Sequence, residues 1–349
     1  MLDGQDTPNL ADCPATTGNT PAVADRESPR FTDAGPDMPA SGAAWLEARL
    51  GRLHARQRLG MDADSESFAS RRGVRAGPGS PDLFDSTVDA VVRMSGMMPR
   101  GRSNAARFEV VRNSVAVPGL PPAFGGFTLL HLSDLHADTS VGAMRALPGA
   151  VAGLHFDVCV VTGDFRGWCN GPHQAALDVT REALSGIAQP IYGILGNHDS
   201  TAMLRGLEGI GIRMLMNESE ALRRGGDRIW LAGVDDPHRY RTDDLAKALD
   251  GVPEDGVTVL LSHTADGAAN AQHAGIALML CGHTHGGQIC LPGRIPLVTA
   301  SRLPRDMVSG PWRSGQMSGY TSRGAGTSGV EARFNCPPEV TLHKLVPSR

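Results

Sequence analysis

The stretch FTLLHLSDLH, residues 127–136, leads from an apolar run straight into an acid and an imidazole. Residues 127–132 have the short, apolar pattern of a buried strand. Asp134 and His136 follow in the loop beyond the end of that strand. Taken alone, Asp134 could simply cap a helix after it, because aspartate is a good N-cap residue. The stretch predicts a functional loop only if other core strands also end in such residues.

Four more apolar runs along the chain end in the same way. They span 158–162, 191–195, 257–261 and 276–281, and we predict that each is a buried strand. The loops after them contain Asp164, Asn197, His198, Asp199, His263, His283 and His285. One such segment arises readily by chance, but five at successive strand ends do not. We therefore predict that the five loops meet and form a single metal centre.

Read in chain order, the five segments resemble the signature of the calcineurin-like metallophosphoesterases: Asp-x-His, Gly-Asp, Gly-Asn-His-Asp, His and Gly-His-x-His. Within that superfamily the chain is most similar to the bacterial YkuE-like phosphodiesterase branch. The string GHTHGGQ at 282–288 and the tail GAGTSG at 324–329 support this branch. The resemblance covers residues 107–346. It implies an α/β fold of four layers, an α/β/β/α sandwich.

The resemblance also implies two divalent metal ions, Mn, Fe or Zn, and a role for each residue of the centre. Two ions about 3.5–4 Å apart lower the pKa of a bound water and clamp the phosphoryl oxygens of a substrate. Asp164 would bridge the two ions. The remaining ligands divide between them: Asp134, His136 and His285 would hold the first ion, and Asn197, His263 and His283 the second.

His198 comes directly after a predicted ligand but is not one itself. The resemblance implies that it faces the substrate and either protonates the leaving group or stabilises the phosphoryl charge, roles that suit a histidine. Asp199 would hold the His198 ring in its orientation. The spacing of His283 and His285 suggests an extended segment, on which alternate side chains share a face.

Four other positions are not part of the predicted ligand set. Many members of the family have a carboxylate where this chain has Gly167. Arg166 could face a substrate phosphate, for which its planar donors are suited, or lie on the surface. His238 follows the predicted strand at 228–233 and could border the substrate cleft. His131, within a predicted core strand, is expected to be structural.

Composition divides the chain into three parts: a disordered tail at 1–40, a helical N-terminal extension at 41–106 and a metallophosphoesterase domain at 107–349. The tail is rich in Pro, Asp, Thr and Ser, without apolar periodicity. In the extension, 43–59 predicts a basic amphipathic helix, which lies on an anionic membrane, docks on its own domain or forms a dimer contact. Residues 60–80 are predicted to be a linker, and 81–98 a second helix.

Within the domain, strands alternate with segments of helical spacing before a β-rich end. Apolar spacing predicts helices at 141–153, 173–185, 200–208, 243–249 and 264–274. Short strands are predicted near 315–321 and 340–345. This order of elements favours two packed sheets that are flanked by helices.

Charge and cysteine content limit the partners and the compartment. The net charge of −4 gives no reason to expect a polyanionic partner, so we predict no nucleic acid partner. The 6 cysteines include no Cys-x-x-Cys pair, and their spread favours a reducing compartment. No secretory signal or membrane-spanning apolar run is visible. We expect a cytoplasmic protein, with peripheral contact at the inner face of the membrane through 43–59 as an alternative.

These features predict a hydrolase: a dinuclear metal-dependent phosphodiesterase or pyrophosphatase that acts through a metal-activated hydroxide. The resemblance implies lipid-linked substrates, such as UDP-2,3-diacylglucosamine or a phospholipid head group. A soluble cyclic-nucleotide or nucleic-acid phosphodiesterase is the alternative. A non-catalytic binding scaffold would be expected to have lost ligands or His198, and a structural zinc site would usually include cysteine.

Overall fold

The computed structural model describes residues 42–72, 83–299, 301 and 303–348. The predicted tail at 1–40 lies outside the described residues, as does part of the predicted linker. No helix in the described ranges is both long and apolar enough to cross a bilayer.

Two six-stranded sheets form the centre of the described chain. The first contains, in spatial order, β1 (Glu109–Val117), β14 (Glu339–Pro347), β2 (Thr128–Leu132), β3 (Val158–Val161), β4 (Ile191–Gly193) and β5 (Ile212–Met214). The second contains β12 (Gly310–Ser314), β13 (Met317–Thr321), β9 (Leu278–Cys281), β8 (Thr258–Leu261), β7 (Asp227–Gly233) and β6 (Glu218–Arg224). A short hairpin, β10 (Cys290–Leu291) and β11 (Ile295–Pro296), stands apart.

The direction of the strands brings the predicted loops to matching edges of the sheets. β2, β3 and β4 are parallel neighbours, as are β7, β8 and β9. The carboxyl ends of parallel strands lie at the same edge of a sheet, so their following loops cluster there. β14, in contrast, is parallel to β1 and antiparallel to β2, and it lies between them.

Three apolar cores separate the layers. One lies between the sheets, where Leu129 and Val160 of the first sheet pack in one cluster with Val259 and Leu280 of the second. The outer face of the first sheet is covered by α5 (Val141–Val151), α6 (Gln174–Leu184) and α7 (Leu204–Gly209). The outer face of the second sheet is covered by α8 (Leu245–Ala248) and α9 (Ala268–His273). The four-layer α/β/β/α sandwich is therefore confirmed, and the five predicted domain helices are present in shortened form.

The N-terminal part contains α1 (Gly42–Leu50), α2 (Arg52–Arg72), α3 (Leu83–Met94) and α4 (Met98–Ala105). Leu46 and Leu50 of α1 are buried in the core outside the first sheet. The α1 part of the predicted amphipathic helix is thus packed on its own domain, in agreement with the docked alternative, whereas Leu53 of α2 is 81% exposed.

The predicted linker at 60–80 is wrong over its first part, since α2 continues to Arg72. This stretch has little apolar periodicity, and its helix is stabilised by polar contacts with the domain. Asp62 accepts hydrogen bonds from Ser200 and Thr201, and Ser65 accepts one from Arg239. Tertiary contacts of this kind commonly stabilise helices whose own sequence favours them weakly.

Candidate metal centre

The five predicted loops meet at one place. Asp134 and His136 follow β2, Asp164 follows β3, Asn197 and His198 follow β4, His263 follows β8, and His283 and His285 follow β9. The seven predicted metal ligands among them are all buried, none more than 8% exposed. The sequence therefore identified a real cluster of charged and polar side chains, held away from bulk water.

The first predicted ligand set is compact. Asp134, His136 and His285 each offer one ligand atom, and these atoms lie within 4.8 Å of one another. The Nε2 atoms of His136 and His285 are 3.0 Å apart, and Asp134 Oδ1 is 3.6 Å from His285 Nε2. Neighbouring ligands of one divalent ion are typically separated by such distances, because each bond is about 2.0–2.2 Å long.

The second predicted set is equally compact. Asp164, His263 and His283 form a group within 4.8 Å. Asn197 joins it, because its Oδ1 lies 2.8 Å from His263 Nε2. Asp164 Oδ2 is 3.3 Å from His263 Nε2 and 3.7 Å from His136 Nε2. One carboxylate oxygen thus faces both sets, which is the position that a bridging ligand requires.

The hydrogen bonds of two histidines show that their Nε2 atoms point into the centre. His136 Nδ1 lies 3.0 Å from the carbonyl oxygen of Arg166, and His263 Nδ1 lies 2.7 Å from that of Thr162. A carbonyl only accepts, so each Nδ1 donates, and the neutral form that binds a metal ion has its lone pair on Nε2. His263 Nε2 then faces acceptor oxygens of Asn197 and Asp164. Such an arrangement of acceptors fits divalent cations.

The backbone is strained at these positions. Among the described residues, the non-glycine residues with positive φ include five predicted ligands: Asp134, His136, Asp164, His283 and His285, with φ between 41° and 72°. Each such residue costs on the order of 1–3 kcal/mol, and such strain clusters at functional sites. The explanation from alternating side chains on an extended segment is therefore wrong. His283 and His285 converge because left-handed turns follow β9, not because the segment is extended.

Gly282 and Gly167 are among the glycines that the close approach of the loops requires. A Cβ at Gly282 would lie 1.8 Å from Ser133 Oγ and 2.4 Å from Asp134 Oδ2. A Cβ at Gly167 would lie 2.1 Å from Thr139 Oγ1. The departure from the family at Gly167 thus has a steric reason, since the larger carboxylate side chain would collide with Thr139.

His198 lies beside Asp164 and is held by the backbone. Its Nδ1 donates to the carbonyl oxygen of Gly167 at 2.6 Å, and its Nε2 is 3.9 Å from Asp164 Oδ2. The predicted role of Asp199 in orienting this ring is wrong. The Asp199 carboxylate instead accepts hydrogen bonds from the backbone N–H groups of Phe165, Arg166 and Gly196.

Neither alternative for Arg166 agrees with the structure. The side chain is buried, and its guanidinium donates to the carbonyl oxygens of His198, Cys169 and Gly171. Arg166 therefore braces the loop that carries His198. A buried arginine can make several such bonds because its planar group presents five donors.

His238 does border the centre. Its ring centroid is 4.4 Å from that of His283, and its Nδ1 is 3.4 Å from Asp266 Oδ2. The neighbouring Arg239 donates to the carbonyl oxygen of Asn197 at 3.1 Å. Arg239 was missed at the sequence level, although it lies in the same strand-end loop as His238.

Helix α2 holds the loops of the centre through hydrogen bonds that no local sequence pattern predicted. Asp62 accepts from Ser200 Oγ at 3.0 Å, Thr201 Oγ1 at 2.9 Å and the hydroxyl of Tyr240 at 2.9 Å. Arg58, fully buried, lies with its guanidinium carbon 3.4 Å from the centre of the Tyr240 ring. The N-terminal helices are thus part of the scaffold of the centre.

Electrostatics favour positive charge in the centre. Burial alone would lower the pKa of His263, but the Asp164 carboxylate raises it to about 10. Burial would likewise raise the pKa of Asp164, yet His263 and His198 hold it well below its ordinary value. Burial lowers the pKa of His136 to about 3, so this imidazole is neutral and free to act as a ligand. The Asp164 carboxylate is therefore ionised and surrounded by potential ligands.

Comparison with known proteins agrees with this geometry. Residues 127–287 match the family described as calcineurin-like phosphoesterase. A "Transmembrane protein with metallophosphoesterase domain" from Danio rerio is 31% identical over 322 residues, which are 84% of this chain and 67% of that protein. "Phosphodiesterase YaeI" from Escherichia coli is 28% identical over 278 residues, 76% of this chain and 98% of that protein.

The YkuE-like branch is also represented among the relatives. "Uncharacterized metallophosphoesterase YkuE" from Bacillus subtilis is 27% identical over 250 residues, 68% of this chain and 85% of that protein. The sandwich, the buried cluster at its strand ends and these similarities agree with one another. The chain belongs to the calcineurin-like phosphoesterases and is a metal-dependent phosphoric ester hydrolase.

Proposed function

We propose that the chain is a dinuclear phosphodiesterase or pyrophosphatase, with Asp164 between two metal ions. The observation that carries this proposal is that Asp164 Oδ2 faces His136 of one ligand set and His263 of the other. Nitrogen and oxygen donors of this kind suit Mn, Fe or Zn. When bound, two such ions lower the pKa of a water and neutralise charge on the phosphoryl oxygens.

In this proposal His198 protonates the leaving oxygen. The bond from Nδ1 to the Gly167 carbonyl fixes the ring and leaves Nε2 on the side of Asp164. A donor held in this way can give a proton to an alkoxide as its bond to phosphorus breaks. His238 would contact a phosphoryl oxygen, because its ring packs on His283 and its side chain is 41% exposed. Asp199 holds the loops together and takes no part in proton transfer.

A lipid-linked diester or pyrophosphate is the substrate class that the surface favours. Leu291, Ile295, Leu297 and Val298, in and beside the β10–β11 hairpin, are each between 47% and 56% exposed. A Cβ at Gly287 would lie 2.3 Å from Pro296 Cβ, so the hairpin packs against the turn that begins at His285. An exposed apolar cluster beside a site commonly contacts lipid or protein.

The docking of α1 changes the basis of any membrane contact. Leu46 and Leu50 are buried, and Arg49 binds Glu208 and Glu218. In 43–59 the apolar side chains of α1 are therefore used by the domain, and Leu53 is an isolated exposed leucine, so we propose membrane contact at the β10–β11 hairpin instead. One relative is named as a transmembrane protein, which is consistent with a reaction close to a membrane.

A hydrolysis panel tests the proposal. Purified protein loaded with Mn²⁺ would be assayed on bis-p-nitrophenyl phosphate, p-nitrophenyl phosphate, cyclic nucleotides and UDP-2,3-diacylglucosamine. We expect turnover of the diester and of the lipid-linked pyrophosphate. Preference for cyclic nucleotides would instead support the soluble alternative, and no turnover of any substrate would support a binding scaffold.

A hairpin variant separates the lipid-linked class from the reaction itself. Ile295→Ser combined with Leu297→Ser should reduce turnover of the lipid-linked substrate in mixed micelles about tenfold or more. The same variant should retain wild-type turnover of bis-p-nitrophenyl phosphate, because the centre is unchanged. Equal turnover of the lipid substrate by both proteins would contradict the role of the hairpin.

A further inference from the structure

A line of buried polar side chains runs across the first sheet toward the metal centre. His343 of β14, His131 of β2, and then Thr162 and Ser133 beyond the strand ends are each 0% exposed. The series begins at Asn113 of the edge strand β1, which also borders a groove of about 270 Å³. The line ends at Asp134, the carboxylate proposed to hold the first ion. Neither the reaction nor the proposed ligand set uses these four buried groups.

The links from Asn113 to Ser133 are hydrogen bonds. Asn113 Nδ2 is 3.1 Å from His343 Nδ1, and His343 Nε2 is 3.2 Å from His131 Nδ1. His131 Nε2 is 2.9 Å from Thr162 Oγ1, which donates to Ser133 Oγ at 2.7 Å. Ser133 Oγ and Asp134 Oδ2 lie side by side, because a Cβ at Gly282 would be 1.8 Å from the first and 2.4 Å from the second. Burial raises the pKa of Asp134 to about 6, and the neighbouring Ser133 hydroxyl opposes that rise.

The donors of the line all point in one direction. Thr162 has one hydroxyl proton, which it gives to Ser133, so it must accept from His131 Nε2. His131 then has its lone pair on Nδ1 and accepts from His343 Nε2. His343 in turn has its lone pair on Nδ1, where the amide nitrogen of Asn113 donates. Both histidines are thus neutral, each with its proton on Nε2.

The opposite direction is not available to the line. It would require the Ser133 hydroxyl to donate to Thr162, whereas Thr162 Oγ1 donates to Ser133 Oγ. The single direction also means that each bond polarises the next, which strengthens a chain of donors in a dry interior. Tyr320 of the second sheet packs edge-on against both histidine rings and keeps the line dry.

We propose that His131, His343 and Thr162 are positioning residues, which act through Ser133 to hold the Asp134 carboxylate in its place for the metal. The side chain of Asp134 is otherwise held by the backbone N–H of His283 at 3.0 Å. Groups that hydrogen-bond a metal ligand typically change metal affinity 10–100-fold when they are removed. This inference rests on the proposed role of Asp134 as a ligand.

Matched variants of Thr162 test the line with little risk to folding. Thr162→Val replaces the hydroxyl with a methyl of similar size, and Thr162→Ser retains the hydroxyl. Titration of the protein with Mn²⁺ in a calorimeter should show about tenfold weaker binding at one site for Thr162→Val. Thr162→Ser should bind as the wild type does. Wild-type affinity in Thr162→Val would overturn the proposal.

A double variant separates positioning from packing. Ser133→Ala should weaken binding of Mn²⁺ by about 10–100-fold. If the line acts through Ser133, adding Thr162→Val to Ser133→Ala should cause no further loss of affinity, although thermal stability falls further. Independent effects that multiply in the double variant would overturn the proposal, because residues that act through one another are not additive.

The far end of the line gives a third comparison. His343→Gln can still donate toward His131, whereas His343→Phe cannot. We expect near wild-type Mn²⁺ affinity for the first and a several-fold loss for the second. Equal affinity in the two would overturn the proposal, and failure of His343→Phe to fold would leave Thr162→Val to decide.

The variant Asp134→Asn distinguishes a wrong ligand set from a wrong positioning role for the line. If Asp134→Asn binds two Mn²⁺ ions as tightly as the wild type, the proposed ligand set is wrong. If Asp134→Asn loses an ion while Thr162→Val does not weaken binding, the ligand set stands and only the positioning line is wrong.

Discussion

Arg58 Nη2 donates to the carbonyl oxygen of Asp199 at 3.1 Å, and the two residues are 141 positions apart in the sequence. The same guanidinium lies 3.3 Å from the Asp235 carboxylate, and both side chains are fully buried. Asp199 directly follows His198, so this single bond joins helix α2 to the loop that contains His198. The N-terminal helices are therefore part of the structure that supports the metal centre.

Arg58→Met should destabilise the protein strongly. Removing one partner of a buried ion pair leaves the Asp235 carboxylate with less compensation, and such changes cost about 3–5 kcal/mol. Urea unfolding should show this loss, and kcat should fall because the His198 loop loses a support. Arg56 on the same helix is exposed, and Arg56→Met is the matched control, expected within about 0.5 kcal/mol of wild type. Similar losses of stability in the two variants would contradict the role of Arg58 in holding α2 on the His198 loop.

Asp164→Asn should abolish turnover and reduce bound metal to one ion per chain or fewer. Its carboxylate is the one group that faces both ligand sets at 3.3 and 3.7 Å, and an amide is a much poorer bridge. Metal content measured by atomic emission, alongside diester hydrolysis, checks this result. Two bound ions with full activity would remove Asp164 from the centre.

His198→Ala should retain both metal ions while kcat falls by roughly 10²–10⁴, the usual contribution of a general acid. The loss should be largest for diesters with poor alkoxide leaving groups and smaller for p-nitrophenolate, which needs little protonation. Steady-state kinetics on a series of leaving groups measures this contrast. An equal loss across the series would indicate stabilisation of phosphoryl charge instead, and loss of metal would make His198 a ligand.

Asp199→Asn should act on stability and not on proton transfer. The carboxylate accepts from three backbone N–H groups, and an amide would turn its own donors toward one of them. We expect a loss of about 1–3 kcal/mol in the free energy of unfolding. The dependence of kcat on the leaving group should stay as in the wild type. A changed dependence would restore the orienting role first expected of Asp199.

Acid should destabilise the fold through its buried histidines. Burial lowers the pKa of His131 to about 3, and burial with His131 nearby holds that of His343 well below its ordinary value. Both are neutral in the fold, whereas the unfolded chain protonates them below about pH 6.5. Stability is therefore present above pH 6.5 and falls as the pH is lowered from there.

Comparing the pH dependence of unfolding in the wild type and in His343→Gln isolates the contribution of His343. A histidine that stays neutral in the fold contributes up to about 1.4 kcal/mol per pH unit to this slope. Urea unfolding between pH 6 and pH 4.5 should show a slope shallower by that amount in His343→Gln. Identical slopes would mean that His343 becomes protonated in the folded protein.

The loops and strands of the centre could be predicted because their signal is local. An apolar run followed by Asp or His marks a strand end, as at Leu132 and Asp134, without knowledge of the rest of the fold. The left-handed backbone at His283 and His285 could not be predicted this way, since it depends on how the loops pack. The convergence of His283 and His285 was therefore predicted correctly, but from an extended segment that the structure does not contain.

Long-range contacts account for the other errors. Asp199 and Arg166 have partners 30 or more residues away, and neither sequence neighbourhood indicates them. The extension of α2 beyond residue 60 depends on Asp62, whose partners include Tyr240. A side chain whose role comes from a distant partner carries no periodic or spacing signal.

The position of β14 has a consequence for synthesis of the protein. Asn113 of β1 and His343 of β14 are paired neighbours but lie 230 residues apart in the chain. At about 5–20 residues per second, β1 is made roughly 10–50 s before the strand that separates it from β2. Throughout that time the first sheet lacks its second strand. The nascent chain therefore exposes unpaired strand edges on the ribosome, and its yield should depend on chaperones that shield them.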